Sequence, residues 1–510
     1  MVSAVVIGAG IGGIAAAARL ARAGYQVTVL EKGSHPGGRV AVIEKDGYRF
    51  DTGPTLFLMP EVFAETFAAL GERMEDYLDL VRLDPTYRVH FHDDSTLDLT
   101  SDMHRMRAQL DRMEPGSFES FARFVAEGYR HYHISLDRFV GRNFYSLLEF
   151  FSPANLPLLF KLKALIKHSA NTARYFRDPR LRAAFSFQNM YLGLSPYDAP
   201  ATFSLLQYTE LVDGVWFPRG GLYKVIEALV GIAEGHGVRF RYDTPVAQIE
   251  VAGARASGVR LADGRRIAAD VVIANADLPY VYSDLLPDDG SARKLAGKKY
   301  TSSALMFYWG VRGERSPELL HHNVFLADHR YKESFDRIFR DLSLPDEPSF
   351  YVNAPARTDP SFAPPDGDAL MVLVPAGHLD ERRPQDWLAL RDRARETVIN
   401  RLEALGVKDL ANRIVVEETM GPLEYRRALN LAKGAAFGLS HNFAQIGYLR
   451  PHNRHPRYRN LYFAGASTHP GTGLPIVLLS AKLTVERILK EQDVPQGVTV
   501  PVGGHAMERA

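Results

Sequence analysis

The sequence predicts an α/β protein in which a Rossmann-type domain, assembled from discontinuous segments, carries an inserted mixed α+β domain. Three observations predict it. A turn of spaced glycines, Gly8-x-Gly10-x-x-Gly13, lies between an apolar β-branched run and an alanine-rich helical pattern. Strand and helix patterns alternate again in mid-chain and near the end. Between these α/β pieces lie two long stretches richer in aromatics, helical patterns and mixed strands.

Each element follows from its residues. Positions 2–7 form a short apolar strand, 14–23 a helix stopped by Gly24, and 25–30 a second buried strand ended by Glu31. In mid-chain, Gly220-Gly221 precedes a helical pattern over 222–234, which Gly235 and Gly237 terminate. Strands are expected at 238–241, 246–251 and 257–261, with Asp263-Gly264 as a hairpin turn, then a buried strand at 271–274. Positions 460–464 read as a further strand, followed by a glycine-rich turn and a helix from about 476 to 489. The predicted division gives residues 1–95, 219–292 and 460–491 to the nucleotide domain. Residues 96–218 and 293–459 go to an inserted domain for substrate and membrane contact. The tail, 492–510, is rich in Gly, Pro and polar residues and is expected to be disordered.

Bulk properties narrow the function. A chain of 510 residues is too long for one core, so two domains are the default. A net charge of +1 gives nucleic-acid binding no global support. The absence of cysteine excludes disulfides, thiolate metal sites and thiol redox chemistry, so any redox work falls to a bound cofactor. The uncharged stretch 2–18 lacks the basic start of a signal peptide. No segment approaches the roughly 20 apolar residues of a spanning helix. The expected location is cytoplasmic, peripherally attached to a membrane.

In the glycine turn, Gly8 permits the tight bend, Gly10 lets the backbone approach a pyrophosphate, and Gly13 lets helix pack on strand. The helix start then offers free N–H groups and positive dipole to phosphate. Glu31 ends the next strand, where a carboxylate binds ribose hydroxyls. Downstream come Glu31-Lys32-Gly33-Ser34-His35-Pro36-Gly37-Gly38-Arg39 and Gly53-Pro54-Thr55. The first resembles the E-x(5–6)-GG-R signature of the FAD-binding superfamily of amine oxidases, protoporphyrinogen oxidase, carotenoid desaturases and GDP-dissociation inhibitors. Arg39 suits a phosphate as a planar donor fork. The predicted cofactor is therefore FAD, with Gly8, Gly10, Gly12, Gly13, Glu31, Lys32, Gly38, Arg39, Pro54 and Thr55 around it. No second GxGxxG occurs in a strand–helix context. A quinone or oxygen is accordingly the expected electron acceptor.

The runs Arg450-Pro451-His452-Asn453-Arg454 and Gly465-Ala466-Ser467-Thr468-His469-Pro470-Gly471-Thr472-Gly473-Leu474-Pro475 are more specific. They resemble the end of bacterial and fungal-type phytoene (carotenoid) desaturases, as Trp216-Phe217-Pro218-Arg219-Gly220-Gly221 resembles that family's middle block. With the N-terminal motifs, the resemblance runs from Val5 to about Leu489. It implies that Gly465, Gly473, Leu474, Pro475 and Ile476 bring a turn and a helix start against the flavin, where positive potential stabilises the reduced form. Val246 matches the superfamily position whose backbone meets the adenine, and Asn275 and Asp277 lie where the fold approaches the cofactor again.

From 150 to 177 there is no acidic residue, while Lys161, Lys163, Lys167, Arg174 and Arg177 alternate with apolar side chains. This reads as one amphipathic element lying on an anionic membrane. Packing against the core with a solvated basic face is the competing reading. Glu149, among aromatic and aliphatic neighbours, is the candidate catalytic acid or base. His452 and His469 are expected to position loops near the flavin, and no metal site is expected.

The resemblance implies FAD-dependent dehydrogenation of a C40 isoprenoid polyene toward neurosporene or lycopene, in a long apolar tunnel. Its rivals are a later-step carotenoid desaturase, a carotenoid isomerase or a retinol saturase. An amine oxidase, or a prenyl-binding escort of the GDP-dissociation-inhibitor type, completes the set.

Overall fold

In the computed structural model, which describes residues 1–492, five strands form one parallel sheet. Their order is Leu461–Phe463, Val271–Ala274, Ser3–Ile7, Gln26–Leu30, Arg239–Arg241. A parallel sheet must be covered on both faces, which is why Val271–Ala274 is apolar without alternation and buried throughout. Ala4 and Val6 face helices Ile11–Arg22, Tyr223–Gly235 and Leu474–Glu491. Val5 and Ile7 face an antiparallel three-stranded layer, Val246–Ala252, Arg255–Leu261 and Arg266–Ala268. Four consecutive alanines, Ala15 to Ala18, are fully buried and leave room for the helices to approach closely. The tail expected to be disordered lies, from Asp493 on, outside the described residues.

The second layer is a seven-stranded sheet with the order Ile414–Met420, Ser303–Arg312, Gly367–Ala376, Phe350–Asn353, His322–Phe325, Tyr87–His90, Thr96–Leu99. Its neighbours are antiparallel, apart from the parallel pair His322–Phe325 and Tyr87–His90. Period-two alternation gives it two apolar faces. Leu305, Phe307 and Trp309 pack on helix Trp387–Leu405, while Ala304, Met306 and Tyr308 turn the other way.

Two expectations are corrected here. The boundary at residue 95 cuts a hairpin, because Tyr87–His90 and Thr96–Leu99 pair with each other within the seven-stranded sheet. Stretch 150–177 is also not one amphipathic element. It breaks into short helices Leu156–Lys161 and His168–Thr172, preceded by Leu147–Phe150. Phe150 and Leu162 turn inward, and Lys163 folds under to pair with buried Glu127. Pro153 and Pro157 interrupt a continuous helical ladder.

Candidate active site

The phosphate turn is built by close approach. A Cβ at Gly13 would lie 2.2 Å from the Gly8 carbonyl oxygen, so only glycine lets this helix sit on this turn. The Gly8 N–H donates to the Leu30 carbonyl at 2.8 Å, tying the turn to the second strand. Helix Ile11–Arg22 starts at Gly10 without a side-chain cap, which leaves its first N–H groups for an anion. Glu31 is fixed beside it: its carboxylate accepts from Ala9 N–H and Gly33 N–H, each at 2.8 Å.

Asn275, at the end of the neighbouring strand, closes the turn from above. Its side-chain N–H donates to Ala464 O at 2.8 Å, and its Oδ1 lies 2.9 Å from where a Cβ would stand at Gly10 or Gly13. Arg39 donates to Ala436 O at 3.2 Å. Asp277, deeper in, accepts from Ser467 Oγ at 2.5 Å and from Ala432 N–H at 3.0 Å. Burial raises the Asp277 pKa above the usual carboxylate range, while Ser467, Ala432 and Arg39 pull it back. Segments around Arg39, Asp277, Ala432–Ala436 and Ser467 thus meet in one place.

Arg450 explains the RPHNR run. Its side chain is 1% exposed and spends all its hydrogen bonds on backbone carbonyls. It donates to Thr468 O at 3.0 Å, Ser440 O at 3.0 Å, Gln445 O at 3.1 Å, Leu439 O at 3.2 Å, and to Ala466 O. The guanidinium is the clasp that shapes the glycine turn after strand Leu461–Phe463. Gly473, at φ 108°, then reverses the chain into helix Leu474–Glu491, with Pro475 in its first turn. His441 accepts the Thr472 N–H at Nε2, 3.1 Å away, which leaves Nδ1 protonated, buried and without a protein partner. His469 donates from Nε2 to Arg142 O at 2.9 Å. His452 packs edge-on to Tyr448, off the cavity.

One continuous cavity of about 810 Å³ joins these parts. Of the predicted cofactor residues, Gly8, Gly10, Gly12, Glu31, Lys32, Gly38, Arg39, Pro54, Thr55, Val246, Gly465, Gly473, Leu474, Pro475 and Ile476 line it. Gly13 lies beneath the turn. The rest of the wall is mostly apolar, with Phe139, Phe150, Leu159, Leu162, Leu206, Met306, Met371, Leu373 and Phe437 among its residues. The donor set fits FAD: a glycine turn, an uncapped helix start, a fixed carboxylate and an orphaned histidine N–H along one wall.

Glu149 is not brought to this cavity. It accepts from Arg142 at 2.7 Å and from Tyr145 N–H at 3.0 Å in the short helix Leu147–Phe150, half-buried and off the cavity wall. Sequence reasoning passed over Tyr351, Tyr191 and His441, all on the cavity wall. They come from separate segments, and no spacing pattern links them.

The model of the family described as flavin containing amine oxidoreductase matches residues 11–489. The chain is 50% identical over 487 residues to the zeta-carotene-forming phytoene desaturase of Myxococcus xanthus, covering 95% of this chain and 93% of that protein. It is 45% identical over 516 residues to the phytoene desaturase of Neurospora crassa, covering 98% and 86% respectively. An oxidoreductase structure from Methanosarcina mazei has the same fold at TM-score 0.62 and 17% identity, covering 95% of this chain and all (100%) of that one.

Proposed function

Since this chain belongs to the flavin-containing amine oxidoreductases, we propose that its cavity seats FAD along the glycine turns and a phytoene-type polyene along the apolar wall, at a membrane surface. The protein is an FAD-dependent carotenoid desaturase of the phytoene desaturase kind. The observation that carries the seating is the continuity of a single cavity from Gly10 and Glu31 to Phe139, Leu162 and Met371.

Bound FAD supplies the two-electron oxidant that takes a hydride from the polyene. The protein's own residues do the rest. The N–H groups at the start of helix Ile11–Arg22 and the Arg39 fork hold the pyrophosphate, and Glu31 holds a ribose hydroxyl. Helix Leu474–Glu491, whose N-terminal residues line the cavity, would present its positive end to the ring system. The apolar wall excludes water and fixes the chain, so that catalysis rests on orientation and site electrostatics.

Leu148, Phe160 and Leu165 support delivery from a bilayer. They are 84%, 74% and 71% exposed, on the segment whose Phe150, Leu159 and Leu162 line the cavity. Burying such side chains in lipid gains about 1.5–3 kcal/mol each. Exposed Lys161 and Lys167 beside them add attraction to anionic headgroups. Among the described residues no helix is long and apolar enough to cross a membrane. The acceptor that reoxidises the cofactor is a quinone of the same hydrocarbon phase, or oxygen.

The test is co-expression with enzymes that supply colourless phytoene, followed by chromatography of the pigments. Coloured polyenes are expected from the wild type and not from Gly10→Trp, and the product identifies the number of desaturations. Unchanged phytoene beside folded, flavin-loaded protein would overturn the substrate. Leu148→Ser/Phe160→Ser should lose sedimentation with anionic liposomes while keeping its flavin, and full co-sedimentation would overturn the membrane surface.

A further inference from the structure

Dehydrogenation releases a proton as well as a hydride, and none of the groups discussed so far receives it. The cavity wall is mostly apolar, and one of its polar places is where the Pro54–Thr55 loop meets strand Phe350–Asn353. That loop is fixed by Tyr308, whose hydroxyl donates to Thr52 O at 2.7 Å. There Thr55 Oγ lies 2.8 Å from the Tyr351 hydroxyl, and the Tyr351 hydroxyl lies 2.6 Å from His322 Nδ1. Thr55 and Tyr351 line the cavity, and His322 stands behind them at 1% exposure. Asn353 Nδ2 also points at His322 Nδ1, 3.3 Å away. The Asn353 amide N–H can only donate, so it assigns the lone pair to Nδ1 and the ring proton to Nε2, which has no hydrogen-bond partner. Tyr351 therefore donates to His322 and accepts from Thr55.

We propose that Tyr351 is the catalytic residue that takes the proton from the polyene, passing its own phenolic proton to His322. The inference rests on the desaturase reading above. The C–H bond on the carbon next to the hydride-losing carbon breaks, and its electron pair becomes the new C=C bond. The proton bonds to the Tyr351 oxygen as the O–H bond breaks toward His322 Nδ1. The hydride would leave to the flavin, the oxidant of the proposed desaturase reaction. The acceptor ends as imidazolium, and its proton returns along the same two atoms when product leaves and water enters.

The energetics allow so weak a base. The developing allylic cation is a strong acid, so the acceptor must be neutral and in place, not strongly basic. Burial first, and the neighbouring His321 second, hold His322 well below the usual histidine range. Burial likewise raises the Tyr351 phenol, which stays protonated as a donor. His321, Tyr87 and Tyr351 are the titratable groups whose rings pack against His322, and none carries charge at neutral pH.

The experiment is anaerobic single-turnover bleaching of the flavin by phytoene in liposomes, in H₂O and D₂O. It compares flavin-loaded wild type with Tyr351→Phe and His322→Gln. The only exchangeable proton on this path is the phenolic one, so the wild type should bleach more slowly in D₂O. Both variants should bleach about 10²–10⁴-fold more slowly with no solvent isotope effect, at unchanged flavin content and half-saturating phytoene. Wild-type rates in both variants, or equal wild-type rates in H₂O and D₂O, would overturn the relay while leaving the desaturase intact. Wild-type flavin that phytoene never bleaches would overturn both. Should one variant lose its flavin, the other variant and the wild-type isotope effect decide.

Discussion

Arg450→Met is the sharpest test of how the turn beside the flavin is held. The substitution keeps the apolar volume of the side chain and removes five N–H···O bonds to five different carbonyls. Bonds from a charged donor contribute roughly 1.5–3 kcal/mol each, and the carbonyls left behind are buried. The five act as a unit, so the sum overstates the loss. Breaking a buried charged network typically costs about 3–5 kcal/mol, a large share of the roughly 5–15 kcal/mol that holds a domain together. At about 2–4 °C per kcal/mol, the melting midpoint should fall by roughly 6–20 °C. Arg450→Lys offers three donors in place of five and should fall between the two. The assay is differential scanning fluorimetry on flavin and tryptophan signals, with the flavin-to-protein absorbance ratio of purified samples. Wild-type melting with full flavin in Arg450→Met would refute the clasp. A lysine variant no better than the methionine one would refute the donor counting.

Three further outcomes follow from buried groups. Burial pushes Glu210 up to about 8, against hydrogen bonds from Gln188 and Tyr87. The unfolded chain ionises there near 4.5, so wild-type stability is lost as pH rises from about 4.5 to about 8. Glu210→Gln should therefore be a few kcal/mol more stable than wild type at pH 8, with the advantage gone below about pH 4.5; equal urea midpoints at pH 8 would refute this. Burial lowers His90, His168, His455 and His469 to about 4 and His321 to about 3. Unfolding takes up protons at each below about pH 6.5, so stability should drop from pH 6.5 toward 4 by up to about 1.4 kcal/mol per pH unit per histidine. A flat urea midpoint between pH 6.5 and 5 would contradict it. Gly13→Ala should cost about 1–3 kcal/mol and release the flavin, because the new Cβ meets the Gly8 carbonyl at 2.2 Å, and full flavin loading would refute the packing argument.

The nucleotide domain was legible because its signals are local. A buried parallel strand reads as an unbroken apolar run, and Ser3–Ile7, Gln26–Leu30 and Val271–Ala274 lie within a residue or two of where those runs stand. Glycine and proline marked the starts of helices Tyr223–Gly235 and Leu474–Glu491. The seven-stranded sheet was not legible in this way. Four of its strands have only four residues each, and Tyr87–His90 pairs with His322–Phe325 far along the chain. The same difficulty hid Lys163, whose exposure depends on Glu127 in a distant helix, and Tyr351, whose partners Thr55 and His322 lie in other segments. Motif reading marked Arg450 as belonging to a signature. Only the fold shows that it serves carbonyls on both sides of the turn and touches none of the cavity.

The strand order of the parallel sheet also sets a timetable. Ser3 bonds to Asp270, 267 residues later, and the flanking strand Leu461–Phe463 emerges later still. At about 5–20 residues per second of synthesis, the central strand waits roughly 15–50 seconds on the ribosome with one apolar edge unpaired. The second wall of the flavin site, from Gly465 to Ile476, emerges long after the glycine turn at Gly8 to Gly13. Until then the nascent chain offers chaperones an open sheet edge, and the flavin site is incomplete until both of its walls have been made.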